Sequence, residues 1–340
     1  MEDEWIRFFD DLPWPDAEAE KQHGGLHGKQ RGDFFRNLQL PFNRCLAPEG
    51  DCSRPGISAH TVQNARTLEL LQRDGHLKTF KQRLDREGKL SLAIENVGRN
   101  YATTFEGFCS QHDTSLFLPI DTRPLDISSP EQLFLLAYRA VAREIHAQMS
   151  GALRMQQAFQ DGVGAGRIPR DQPSEPGMLS LRHMIIADQG YKYKHDLDAA
   201  LLAKDYSPLQ HVVLHLPDTA PSIATAACFT VPNWTQCLAR VTLNVLPISG
   251  TESVAIFSFT HEHGEAARSM LDRIFESDGY LLKYLLSKLV LARCENSVFS
   301  PHTFDLWTED QINAMSEYFS KTTSDYFEVE DARLYLFREF

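Results

Sequence analysis

Two short segments of this chain each carry a pair of soft metal ligands. "RCLAPEGDCSRPGISAHTVQ", residues 44–63, holds Cys45 and Cys52, and "FEGFCSQHDTSLF", residues 105–117, holds Cys109 and His112. A structural zinc ion takes four Cys or His ligands in a tetrahedron, and two short loops bearing two ligands each supply them at small entropic cost. Cys45 and Cys52 flank the Pro/Gly turn "LAPEGD", while Cys109 and His112, three residues apart, project to one side of a turn entering a helix. The C-x6-C spacing is looser than the usual C-x2-4-C. The competing assignment is ordinary buried cysteines and a surface histidine, but both segments are polar, a poor setting for core packing. Cys228, Cys237 and Cys294 lie among Ala, Phe and Leu in strand or helix patterns and are assigned to the core. The expected zinc ligands are therefore Cys45, Cys52, Cys109 and His112.

A 340-residue chain is long enough for two cores. The expected division is a zinc-bound module over 1–127 and a helical segment plus an α+β partner-recognition or sensing domain over 128–340. No run approaches the ~18 apolar residues of a membrane helix, so no membrane partner is expected. The acidic start "MEDEWIRFFDDLPWPD" lacks the basic and apolar regions of a secretory signal. The expected location is the cytoplasm, where thiols stay reduced and are read as ligands or core residues. The net charge of −12 opposes nucleic-acid binding, which rests on phosphate neutralisation. Residues 20–110 run the other way, with fourteen Lys or Arg against ten Asp or Glu.

Periodicity sketches the elements. Residues 61–75 read as a helix closed by Gly75 as C-cap, followed by two strands, "HLKTFKQRL" and "KLSLAIENV", around "DREG". Ser129 as N-cap and Pro130 at the first helical position open a long helix expected over 130–159. Residues 161–177, rich in Gly and Pro, read as an exposed loop, and a second helix over 178–204 packs back on the first. From 209, "LQHVVLHLP", "ATAACFTVP", "ARVTLNVLP" and "SVAIFSFTH" are β-branched and aromatic runs punctuated by Pro, which predicts a mostly antiparallel sheet. Helices return after it, so the fold class is α+β.

The order of the Cys pair, the histidine in "ISAHTVQ" and the closing "FCSQHD" resembles the zinc-stapled HNH, or ββα-metal, nucleases. The block also resembles uncharacterised bacterial proteins with similar histidine and "FC-x-x-HD" motifs. The likeness covers about 40–120. It implies a ββα-like module with a structural Zn2+, His60 as general base, Asp113 as last ligand of a catalytic Mg2+ or Mn2+, and Asn96 or Asn100 as the middle asparagine. It implies an endonuclease acting on nucleic acid, with a role in defence against foreign DNA. Three departures stand out: Ala59 where an acidic ligand often precedes the histidine, His112 where a Cys is usual, and an extra helical segment between His60 and Cys109.

In such a site a neutral histidine takes a proton from water while a divalent ion stabilises the developing charge. The histidine's other ring nitrogen needs an orienting partner, and Asn96, Asn100 or Gln63 are the candidates. His60 has two other possible roles, as an architectural residue or as a zinc ligand. The alternative function is a non-catalytic zinc-stabilised binding or scaffold protein whose C-terminal domain engages a protein partner. His261 and His263 in "THEHGE" lack a third ligand and read as a polar strand end. "YKYKHD" can stack on bases or snorkel along a helix face.

Overall fold

In a computed structural model, residues 42–48, 52–84, 90–171, 173–217, 219–232, 238–324 and 330–338 are described. The class is α+β, as expected. The chain forms two compact units: residues 1–43, 83–90 and 144–193 make the smaller, and 44–82, 91–143 and 194–340 the larger. This partition differs from a cut at 127/128.

Within the larger unit, β1 (Ile57–His60) pairs antiparallel with β4 (Thr104–Phe108), placing His60 opposite Thr104. α1 (Ser110–Thr122) follows directly and buries Phe117 and Ile120. The Phe117 ring meets Phe108 of β4 edge-on at 5.0 Å, so the helix is packed onto the two strands by aromatic contact. The chain between β1 and β4 holds β2 (His76–Leu84) and β3 (Leu90–Gly98), the two expected strands.

β2 and β3 do not stay local. They extend a seven-stranded sheet whose order is β3-β2-β9-β6-β7-β8-β5. Its other strands are β5 (Leu209–Pro217), β6 (Ile223–Pro232), β7 (Leu238–Pro247), β8 (Glu252–Thr260) and the short β9 (Ser297–Phe299). β9 is the splice, pairing antiparallel with β2 through Lys78↔Phe299 and with β6 through Ala224↔Val298. One face of the sheet presents Ala227, Phe229, Val241, Leu243, Val245, Ala255 and Phe257 to three later helices. These are α4 (Gly264–Phe275), α5 (Gly279–Arg293) and α6 (Glu309–Ser324). Cys228 and Cys294 are buried in the core, as expected, and lie outside any disulfide, while Cys237 lies outside the described residues.

α2 (Pro130–Gly164) and α3 (Glu175–Ala203) pass through both units. Ser129 caps α2 as expected, its hydroxyl accepting the Gln132 amide at 3.3 Å. Within the smaller unit the two helices are joined by Ser180 Oγ donating to the Ala152 carbonyl at 3.0 Å, and by a His183–Gln148 hydrogen bond at 2.6 Å.

Two local expectations need correction. The glycine-rich stretch after 159 is not all loop: α2 runs to Gly164. Gly166, at φ 68°, closes it with Arg167 N donating to Gly162 O and Gly166 N to Val163 O. Those paired bonds are a Schellman end, so the glycine cluster caps the helix it was expected to break. Residues 61–75 form only a π-helical turn, Asn64–Leu68, and one α-turn, Glu69–Leu71. Gly75 is not a C-cap. With Asp74 at φ 53° and Gly75 at φ 76°, Asp-Gly makes the two-residue turn that pairs Arg73 with His76 in both directions at 3.0 Å. Among the described residues no helix is long and apolar enough to cross a membrane.

Candidate metal centre

The segment carrying Cys45 is tied to β4 by the Leu46 amide donating to the Gly107 carbonyl at 2.8 Å. β4 runs into α1, with Cys109 at the helix N-cap position in extended conformation and His112 one turn in. The Cys109 amide points back at Cys45 Sγ, 3.3 Å away. This local course delivers four ligand atoms to one point. Cys45 Sγ is 3.3 Å from His112 Nδ1, Cys109 Sγ is 3.5 Å from His112 Nδ1, and Cys52 Sγ is 3.8 Å from Cys109 Sγ. All four lie within 4.8 Å of one another. A tetrahedron with metal–sulfur arms of about 2.3 Å has sulfur–sulfur edges of about 3.8 Å. Cys45, Cys52, Cys109 and His112 therefore form a Cys3His cluster able to hold a metal ion, and the four expected ligands are the four that converge.

The electrostatics of the cluster agree with that use. Burial pushes the Cys45 thiol up to about 11, with Cys109 beside it adding to the rise. For Cys109 burial acts in the same sense, but the backbone amides of His112 and Gln111 and the neighbouring thiols outweigh it and bring the group below its ordinary value. Close, partly buried thiols do not all ionise unaided, and a cation at their centre would supply the missing charge. Next to the cluster Lys194, 2% exposed, binds Asp198 at 2.6 and 2.9 Å, and Tyr138 donates to the same carboxylate at 2.6 Å. Burial lowers the Lys194 pKa, and Asp198 and the charge of Cys45 work against that fall, so this buried trio belongs to the cluster's surroundings.

His60 stands at the end of β1, outside the four-ligand cluster. Its Nδ1 lies 2.9 Å from the Ala102 carbonyl. A carbonyl only accepts, so Nδ1 carries the hydrogen and Nε2 keeps its lone pair. Burial lowers the imidazole's pKa, which the Ala102 bond opposes and the charge of Arg139 reinforces. The orienting partner is thus a backbone carbonyl, and the three proposed side chains are engaged elsewhere or exposed. Gln63 Nε2 donates to the Asp121 carbonyl at 2.6 Å, Asn100 Oδ1 accepts from Asn64 at 3.1 Å, and Asn96 sits exposed on β3.

Asp113, in the first turn of α1, is largely buried, and its Oδ1 has no hydrogen-bond partner. Burial raises its pKa, Arg139 lowers it and Asp121 raises it. The nearest cation to Asp113 Oδ1 is Arg139 Nη2 at 3.7 Å. Arg139, 2% exposed, makes a two-pronged bond to Asp121 at 2.8 and 2.7 Å and lies 3.9 Å from the Phe117 ring. Sequence reasoning missed Arg139 and Asp121. A signal existed: Arg139 is the one charge in "LFLLAYRAVA", an otherwise apolar stretch of α2. No family model, curated protein or solved structure matches the chain.

Proposed function

We propose that the chain is a metal-dependent nucleic-acid phosphodiesterase of the ββα-metal type, with zinc as a structural ion in the Cys3His cluster. Four protein ligands leave no open coordination position, which is the mark of a structural site. The observation that carries the reading is His60. It sits at the end of the first strand of a strand–strand–helix element, its Nδ1 committed to a backbone carbonyl and its Nε2 left free. Burial favours the neutral form, the one able to accept a proton.

A catalytic divalent ion fits Asp113, whose buried Oδ1 is an acceptor without a donor. When bound there, such an ion supplies charge stabilisation for the leaving oxygen. His60 Nε2 takes a proton from a water molecule, the water oxygen attacks phosphorus, and the bond from phosphorus to the leaving oxygen breaks. A Mg2+- or Mn2+-dependent cleavage assay on DNA and RNA tests this. His60→Ala is expected to lower the rate about 100- to 10,000-fold, and Asp113→Ala comparably, with the Cys3His metal content unchanged in both. Wild-type protein inactive on every nucleic acid and divalent ion tried would remove the reading.

A second reading has its own support. Arg139 already pairs with Asp121 and lies 3.7 Å from Asp113, and residue 59 is Ala. Both favour a zinc-stabilised scaffold in which the ββα element is purely architectural and the large sheet with its helices engages a protein partner.

A further inference from the structure

We infer that Arg139 is a positioning residue for His60, clamping the far end of α1 beside the segment that leaves β1. The inference deepens the phosphodiesterase reading and takes its catalytic meaning from it.

The geometry is a chain of short contacts. Gln63, three residues past His60, donates to the Asp121 main-chain carbonyl at 2.6 Å. The Asp121 carboxylate takes both arms of the Arg139 guanidinium. That guanidinium lies over Phe117 of α1 and reaches toward Asp113, the other carboxylate of the proposed site. One side chain of α2 thus fixes both ends of α1 relative to the segment leaving His60. A planar fork that makes two parallel bonds while stacking on a ring is a role Arg fills and Lys does not.

Three charges act on His60: Arg139 and Arg99 disfavour its protonation and Asp121 favours it. Arg99 is itself paired with Glu69, which dilutes its effect. Arg139 is paired too, with Asp121, the group that opposes it at His60. It is buried, its distance to Asp121 is set, and its charge does not titrate in the working range. Removing it would leave the charge of Asp121, which favours protonation of His60, without its counter-charge.

The test follows the His60 imidazole by NMR in the intact, metal-loaded protein, with 13C-labelled histidine assigned by the signal lost in His60→Gln. Arg139→Met is expected to raise the His60 midpoint by about one pH unit, the low end of what a single nearby charge does. Arg139→Lys, which keeps the charge, should hold the midpoint near wild type. Asp121→Asn removes the opposing charge and should move it down, which also tests the inference if Arg139→Met does not fold. A His60 midpoint unmoved in Asp121→Asn, or unmoved in folded Arg139→Met, overturns the proposal. The titration needs no activity, so a wild type that cleaves nothing defeats the phosphodiesterase reading and leaves this arm standing. Where cleavage is found, the acid limb of kcat/KM should shift with the NMR midpoint in each variant.

Discussion

The two ends of the β1–β4–α1 element are held in different ways. At the N-terminus of α1, four side chains from two short segments converge in an arrangement able to hold a metal ion. At its C-terminus, a buried guanidinium and a carboxylate satisfy each other directly. The first end can take an ion, whereas the second is made of protein groups alone, with Arg139 Nε and Asp113 Oδ1 left without hydrogen-bond partners. The apolar contact of Phe117 with Phe108 lies between them and is too small alone to hold a 13-residue helix on two short strands. With an ion bound, the cluster and the ion pair would act as two clamps on one helix, of unequal strength.

The largest effect should come from the metal end. Removing the ion from the intact protein with a chelator, or replacing Cys109 with Ser, should destabilise the larger unit by on the order of 5 kcal/mol, because the free energy of filling a structural site is folding free energy. Elemental analysis with denaturant unfolding measures both quantities on one sample. Metal-free protein that unfolds at the wild-type midpoint would break the comparison at its stronger end.

Next comes the ion-pair end. Arg139→Met leaves the Asp121 and Asp113 carboxylates without their counter-charge; because the Asp121 side chain is 35% exposed, the cost should be about 1–3 kcal/mol. Metal content should be unchanged, since Arg139 touches none of the four ligands among its recorded bonds. A loss of metal in this variant would mean that the two clamps are coupled through α1, which sharpens the comparison into a cooperative one.

The two ends also differ in how legible they are. The ligands could be read from spacing because each pair lies within one short segment, and a metal site is a local demand made twice. The strands from 209 to 260 were legible for a similar reason: each is a β-branched run closed by Pro or a turn. β9 was not, since "SVF" is three residues long and becomes a strand only because β2 and β6 stand on either side of it. The joining of the β2–β3 hairpin to the large sheet escaped notice for that same reason. Residues 61–75 have helical spacing, but Asp74-Gly75 imposes a turn that the periodicity does not contain. Around His60 the residue itself was visible while its partner was not, because the Ala102 carbonyl has no side-chain signature. The Asp121–Arg139 clamp spans two helices, and no pattern within either one announces it.

The smallest effect belongs to His60, and it separates site from scaffold. If the imidazole serves chemistry, His60→Ala should cost little stability: one hydrogen bond to the Ala102 carbonyl, about 1 kcal/mol or less. The sign of its pH dependence is fixed by the direction of its shift. Burial lowers the folded-state pKa below the unfolded value near 6.5, so between the two values the unfolded chain binds more protons than the folded one. The contribution of neutral His60 is therefore fully present above about pH 6.5 and is lost as pH falls through the folded pKa. His60→Ala lacks this dependence, so its stability deficit should be largest near pH 8 and should shrink or vanish near pH 5. Paired urea titrations of wild type and variant at the two pH values measure the difference. A deficit of about 3 kcal/mol or more at pH 8, with metal released, would make His60 a third clamp on the element and favour the scaffold over the phosphodiesterase.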